Sequence, residues 1–389
     1  MSGNNRNRLT LVRTNRDLRV DFFRGLALWW IFTDHIPGNA LGRVSLRNFT
    51  LSDATEVFVL LAGYGAALAY GRTLDRAGWL YSGADVVRRA WTLYVAHIFL
   101  FVLFAAQVGA SAAALNRGAY LEEIHLDVLA NAPYRALLDS LFLLFQPAYL
   151  NVLPLYIVLL LMFALVLPLL RRPALLFALS FGLYALTRLL HLNLPTAGGG
   201  GWFFNPLAWQ LLFVLGALLA YAPPNIPLPP RLLDIAAAAV LLAGLLIARV
   251  VWPYPALAAH LPPWLLAWLL DVDKTGLHPY RFACILALLW AVHRLVPPRA
   301  AWLQSRLAAP FLLAGQHSLP VFCSGILLSF LGRLAMERSD GAAMQGFVNL
   351  AGGIGLLAVA TIAAWYRAKG AASSRAGLPA RAPSGTESS

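Results

Sequence analysis

The chain has 389 residues, 60% hydrophobic and 12% charged, with a formal net charge of +13. A soluble domain carries about 25% charged residues, so this sequence lacks the polar surface that water on all sides demands, which argues against a soluble globular protein. The excess of Arg lies between apolar runs rather than among aromatics on a polar face, which argues against nucleic-acid binding.

A helix needs about 20 apolar residues to cross a hydrocarbon core of about 30 Å. Ten stretches qualify: 20–37, 54–71, 89–109, 151–170, 173–190, 206–222, 232–252, 280–297, 316–335 and 345–366. Residues 135–149 are apolar but short, and read as an interfacial or re-entrant segment. The fold class expected is all-α, a polytopic membrane protein of about ten transmembrane helices. With the N-terminus in the cytoplasm, nineteen Lys and Arg residues fall on the cytoplasmic side and ten on the other. This bias predicts both termini inside. The expected organisation is a basic cytoplasmic tail (1–19), a transmembrane domain (20–368) and a disordered cytoplasmic tail (369–389). The Arg-rich start runs straight into the first span with no small-residue cleavage site, as for an uncleaved chain. The outer loops 38–53, 110–150, 191–205 and 253–279 are long and carry Trp, Tyr, Asn, Asp and His.

Ionisable residues inside a span are costly and mark cavities or partners. The first span holds Arg24 and, eleven positions later, His35. At ~100° per residue they share one face within about 20°, separated by a rise of ~16 Å. Arg24 suits a phosphate-bearing donor near the inner leaflet. His35 suits a hydroxyl-bearing acceptor near the outer one, as a general base. The same spacing is met if Arg24 reaches the inner surface and His35 caps the span. Asp34 orients His35 only if the helix end is irregular, which Pro37 and Gly38 allow. Asp53 and Glu56 are equally good partners for it, yet Asp53 also reads as an N-cap and Glu56 as its dipole complement.

Arg88 and Arg89 are topology anchors with a lesser claim on phosphate. His97, alone in the third span, reads as a packed, hydrogen-bonded residue. His317 lines a cavity or sits beside a helix cap at Ser318. Cys284 and Cys323 read as small core residues. The His residues show no metal spacing, and neither a nucleophile elbow nor a phosphate-cradling glycine loop is present.

Several segments together resemble the OpgC family, membrane proteins that succinylate osmoregulated periplasmic glucans. They are Arg24-Gly25-Leu26-Ala27, Asp34-His35-Ile36-Pro37-Gly38-Asn39 and Ser52-Asp53-Ala54-Thr55-Glu56-Val57-Phe58-Val59, then Asn151-Val152-Leu153-Pro154-Leu155-Tyr156. Asn205-Pro206-Leu207-Ala208-Trp209-Gln210, Asp273-Lys274-Thr275 and His317-Ser318-Leu319-Pro320-Val321-Phe322 fit the same pattern. The resemblance covers roughly residues 16–366 and extends to the wider acyltransferase family 3 group, marked by Arg or Lys, ten residues, then His. It implies that Arg24 helps hold an acyl-CoA donor, succinyl-CoA in this family, and that His35 is catalytic. It also implies a periplasmic glucan or other glycan acceptor, residence in the bacterial inner membrane, and no metal. The candidate catalytic residues are therefore His35, Asp34 and Glu56. Those for the donor are Arg24, Arg88 and Arg89, and those for the acceptor are Asp53, Asn39, Trp209, Lys274 and His317. Candidate partners are membrane lipid, acyl-CoA, the glycan and a second copy of the chain. A transporter of an acyl group or glycan is the alternative, and a scaffold for a glucan-modifying complex the third reading.

Overall fold

Proline marks where many of the helices begin. Its missing N–H costs nothing in the first turn, and its fixed φ suits the helix. The computed structural model describes residues 17–376 apart from Pro255, Leu257, Ala258, Ala259 and Leu261. Within it, Pro is the first residue of α6 (Pro133–Leu141), α8 (Pro173–Leu189), α9 (Pro206–Tyr221), α10 (Pro230–Leu246), α11 (Pro263–Leu270) and α12 (Pro279–Leu295). The other helices are α1 (Leu18–Asp34), α2 (Ala54–Ala77), α3 (Trp79–Leu115), α4 (Ala119–Glu123), α5 (Asp127–Asn131), α7 (Val152–Val166), α13 (Ala309–Gln316), α14 (Ser318–Arg338) and α15 (Ala342–Ala376). Among the described residues there is no strand, only an isolated bridge between Pro195 and Gly201.

Helix occupies each of the ten apolar stretches, but six helices are long and apolar enough to cross a membrane. These are Ala54–Ala77, Trp79–Leu115, Val152–Arg171, Pro230–Val251, Ser318–Arg338 and Ala342–Gly370. Helices α8 and α9 are apolar but shorter. Helices α1 and α12 have 17 residues each and carry charges within them. Seventeen residues rise only ~26 Å, short of a full hydrocarbon core. Six helices therefore have crossing length, while α1, α8, α9 and α12 are shorter than the spans expected there. The expected span at 316–335 is also broken, because α13 ends at Gln316 and a new helix starts at Ser318.

Contacts between helix ends sort into two groups. The end of α1, the starts of α2, α7, α9 and α12, and the loops after α3 and α14 meet through His35–Tyr149, Asp53–Lys274, Asn39–Asn349 and Arg117–Glu337. At the other end Arg171 donates to the Leu74 carbonyl, Tyr221 to Asp75, and Arg19 to the Val296 carbonyl. Successive long helices therefore alternate in direction. Helix α2 is central, 61% buried, whereas α10 is peripheral at 17%. Segment 135–149 holds α6, which buries Ala136 and Ser140 and exposes Tyr134, Leu137, Leu138 and Leu141. That suits the surface segment expected there. The last helix runs to Ala376, into the segment expected to be a tail. The basic residues of 1–16 and the tail from 377 lie outside the described residues.

Two backbone-to-backbone crossings set the centre. A Cβ on Gly63 would collide with the Phe213 carbonyl, and one on Gly216 with the Leu60 carbonyl, so α2 and α9 touch through their backbones. Gly25 and Gly315 do the same for α1 and α13, against the Phe311 and Asp21 carbonyls. Small residues allow this approach, which replaces the hydrophobic drive absent between helices in lipid.

His97 departs from expectation. It is fully buried on α3, and among the described residues neither ring nitrogen has a hydrogen-bond partner.

Gly63→Ala should lower stability by about 3 kcal/mol, since backbone and not a flexible side chain must yield. Gly109→Ala, with open space around it, should be neutral or stabilising. Thermal unfolding in detergent measures both, and equal melting of the two variants would contradict the crossing. By the same assay His97→Leu should raise Tm, because an apolar residue removes two unsatisfied buried polar atoms. A fall would show that the imidazole is satisfied by a bound molecule.

Candidate active site

Helix α1 stops because the sequence stops it. Pro37 cannot extend the helix, and Gly38 takes φ +76° to turn the chain. His35 is the C-cap, with its backbone N–H bonded to the Ile31 carbonyl, and the Ile36 N–H bonds the Thr33 carbonyl. Its Nδ1 lies 2.6 Å from the Ile31 carbonyl oxygen. A carbonyl only accepts, so Nδ1 carries the proton and Nε2 presents the lone pair. The orienting partner is thus the helix backbone, not a carboxylate. The imidazole is half-buried and packs edge-on with the Tyr149 ring, centroids 4.5 Å apart.

Asp34, adjacent in sequence, faces Arg47 (Nε–Oδ1 3.3 Å). It is not positioned as the second member of a dyad. Glu56 is fully buried and has two structural tasks. Its Oε2 accepts from the Asp53 N–H (2.9 Å), completing a capping box in which Asp53 accepts from Thr55 N–H (2.7 Å). Its Oε1 accepts from Arg281 Nε (2.7 Å) and Nη2 (2.6 Å). Asp53 binds Lys274 and lies 3.4 Å from Arg281. Two carboxylates and two cations so form one formally neutral quartet, buried at Glu56 and Arg281 and half-buried at Asp53 and Lys274, that joins the starts of α2 and α12. Asp53, Lys274 and Arg47 are the charges that act on His35.

The loop carrying Lys274 is fastened from below. Trp209, fully buried, donates Nε1–H to the carbonyls of Lys274 and Thr275 (3.1 Å each), and Asn205 N–H donates to Thr275 (3.1 Å). Trp209 therefore supports Lys274 and has no exposed surface for an acceptor. Asn39 is also fully engaged, since it caps the next turn through Leu41 N–H and exchanges amide bonds with Asn349, 2.9 Å each way. His317, buried, forms the break between α13 and α14.

Arg24 points from α1 to α2. Its Nη2 donates to the Leu61 carbonyl (2.7 Å), and a Cβ on Gly65 would come within 2.9 Å of that nitrogen. Gly65 makes the room that keeps the guanidinium against α2. Arg88 is 80% exposed beside Asp85 (3.8 Å), and Arg89 is half-buried one residue on. The structure thus gathers His35, Asp53, Glu56 and Lys274, with Trp209 behind them. Asn39, Asp34 and Arg88 serve other contacts, and Arg89 lies on α3 away from this group. Two apolar cavities lie elsewhere: one of about 110 Å³ lies among α7, α8 and α9, the other beside Tyr94 and Phe99.

A second ion network closes the opposite flank. Buried Arg333 on α14 pairs with Glu337 (2.7 Å) and Glu123, stacks over the Tyr120 ring (5.2 Å), and Glu337 also takes Arg117 (3.1 Å) and the Tyr120 hydroxyl. Sequence reasoning missed Arg281, Arg333 and Tyr149. A buried Arg near the end of an apolar run was the available signal for the first two. Tyr149 left none.

Arg281→Met should cost about 3–5 kcal/mol, because it leaves the buried Glu56 carboxylate without its cation, while Asp53 keeps Lys274. Adding Glu56→Gln, which keeps the capping box, should recover part of that loss in thermal melts. A double variant less stable than the single one would contradict the quartet.

Comparison with known proteins gives one family. The family described as "OpgC protein" matches residues 16–368, nearly the whole chain. Neither the curated proteins nor the solved structures gave a match. With a match of this extent on a helical bundle of apolar, membrane-crossing helices, the chain belongs to the OpgC protein family.

Proposed function

We propose that this protein is an inner-membrane O-acyltransferase that moves an acyl group, succinyl by family resemblance, from cytoplasmic acyl-CoA to a hydroxyl of a periplasmic glucan. The reading includes ten passes with both termini in the cytoplasm. Helix ends that alternate between two groups support it, and so does the basic bias of one set of loops. Helices shorter than the hydrocarbon core are accommodated where they are enclosed by others, as α1 and α9 are.

One observation carries the chemistry: the bond from His35 Nδ1 to the Ile31 carbonyl, which fixes Nε2 as the basic nitrogen. In the proposed step a glycan hydroxyl attacks the thioester carbonyl and its proton passes to Nε2. The tetrahedral intermediate collapses, the carbon–sulfur bond breaks, and the thiolate leaves with the proton from the imidazolium. An ester and free CoA result, and His35 returns to its starting state. An acyl group carried briefly on Nε2 uses the same nitrogen. Arg24, ~16 Å along the same helix face, holds a phosphate of the donor by charge-assisted bonds. The separation suits an extended donor whose charged end and reactive end lie at different depths. Lys274 and Asp53 border the acceptor side, while Glu56 acts by holding Asp53 and Arg281 in place.

His35→Ala should reduce ester formation by at least ~100-fold, the lower range for a positioned base. Membrane insertion and Tm should be those of the wild type. Mass analysis of glucans made by the purified protein with succinyl-CoA reads the result. Undiminished ester from the variant removes His35 from the mechanism. Passage of unmodified solute into vesicles, with no ester from the wild type, replaces the proposal with transport.

A further inference from the structure

The segment between α3 and α7 is unusually strained for its length. Six described non-glycine residues have left-handed φ, and four of them lie here: Asn116, His125, Leu143 and Tyr149. Side chains with a Cβ disfavour that region, and such residues persist where the surroundings over-determine them. At Tyr149 the strain (φ +72°) aims a half-buried ring at His35. The turn is held by Ala148 N–H on the Ile124 carbonyl (3.0 Å) and Leu150 N–H on the Pro147 carbonyl (3.1 Å). Phe104 of α3 supports the ring edge-on, centroids 6.4 Å apart.

Two polar groups of this turn have no partner in the described fold. Among the described residues the Tyr149 hydroxyl has no hydrogen-bond partner. Two residues on, Asn151 Oδ1 is buried without one. A buried acceptor without a donor is costly, so the Asn151 oxygen is suited to a ligand that brings a hydroxyl. The ring supplies the apolar surface that small-ligand sites combine with a few placed polar groups. A sugar ring offers both complements, C–H faces for the aromatic and O–H edges for the acceptors.

We infer that the Tyr149–Asn151 turn is the acceptor-binding wall of the site, with Tyr149 as a stacking platform for a hexose ring and Asn151 as acceptor for one of its hydroxyls. This rests on the transferase reading for its consequence, delivery of a hydroxyl to His35 Nε2, but the binding itself is independent of the reaction. Neither residue exchanges protons with substrate, so both are positioning residues.

The test is the affinity of the purified full-length protein for an unmodified glucan oligosaccharide, by titration calorimetry with no acyl donor present. Wild type should bind. Tyr149→Phe, which keeps the ring, should remain within about threefold of wild type, whereas Tyr149→Ala should raise Kd at least tenfold. Asn151→Ala should raise it about fivefold or more. It removes no ring from the packing, so it gives a reading even where Tyr149→Ala fails to fold. In transfer assays both Ala variants should raise KM for the glucan and leave KM for acyl-CoA unchanged. Unaltered glucan affinity in Asn151→Ala and in a folded Tyr149→Ala overturns the inference, and so does a wild type that binds no glucan. Glucan binding that depends on Tyr149, with no ester formed from any donor, sustains the inference and removes the transferase reading instead.

Discussion

Four paired charges at one end of the bundle, two of them buried and two half-buried, hold the candidate site in shape. Asp53, Glu56, Lys274 and Arg281 come from two regions more than two hundred positions apart in the chain. Alone, any of them would carry a desolvation cost of several kcal/mol. Together they satisfy one another, and backbone N–H groups of the α2 cap take the remaining carboxylate oxygens. The network is stiff for a geometric reason. Arg281 presents a planar fork to Glu56, and Glu56 is fixed in turn by the capping box. A displaced α12 would break both contacts at once, so the start of α12 is registered against the start of α2. Lys274 then stands beside His35 because its loop has nowhere else to go, with Trp209 and Asn205 bonded to its backbone from beneath.

The glycine crossings supply the other half of the constraint. In the proposed function helix α1 places Arg24 and His35 on one face at two depths, and rotation of the helix would destroy that alignment. Gly25 lets α1 lie directly on α13, and Gly65 lets the Arg24 guanidinium lie against α2. Backbone contact leaves no side chain to repack, so rotation is resisted more strongly than at an ordinary leucine interface. The ladder of contacts therefore runs from glycine placement to helix orientation, and from there to the separation of the two groups proposed to bind donor and acceptor.

Much of this was legible in the sequence, and the remainder was hidden for identifiable reasons. Apolar runs located the helices, and Pro37-Gly38 located the end of α1. The Ser52-Asp53-Ala54-Thr55-Glu56 stretch announced a cap, which the structure contains. Contacts set by neighbours four residues apart or fewer are readable in this way. The partner of Glu56 was not, because nothing local in Arg281 distinguishes a quartet member from a topology anchor. The hydrogen bond from His35 to its own helix was missed because a carboxylate seemed the natural orienting group. At a frayed helix end a carbonyl is closer and equally able to accept. Asn39 and Trp209 carried family resemblance yet proved to be supports, since a pattern of residue types does not separate those that touch a ligand from those that hold its neighbours. Helix length was less legible where charge and apolarity mix, as in α1 and α12, of 17 residues each.

The two flanks of His35 are stabilised by the same device used twice. On one side the quartet fastens the Lys274 loop. On the other, Arg333 binds Glu123 and Glu337 and stacks on Tyr120, and this second network anchors the strained segment that ends in Tyr149. An aromatic series joins it to the imidazole: Tyr120 and Phe104 each pack on Phe330, Phe104 packs on Tyr149, and Tyr149 packs on His35. Left-handed φ at a tyrosine costs free energy that must be offset nearby, and a network of two cations and two carboxylates behind a packed aromatic row is a source for it. Both walls of the site are thus tied to rigid helices by buried charge, although each wall is itself a loop. That arrangement combines variable loop residues with fixed geometry. It also explains why an imidazole oriented only by its own helix can keep one position, since Tyr149 bounds the ring from the side that the Ile31 carbonyl does not.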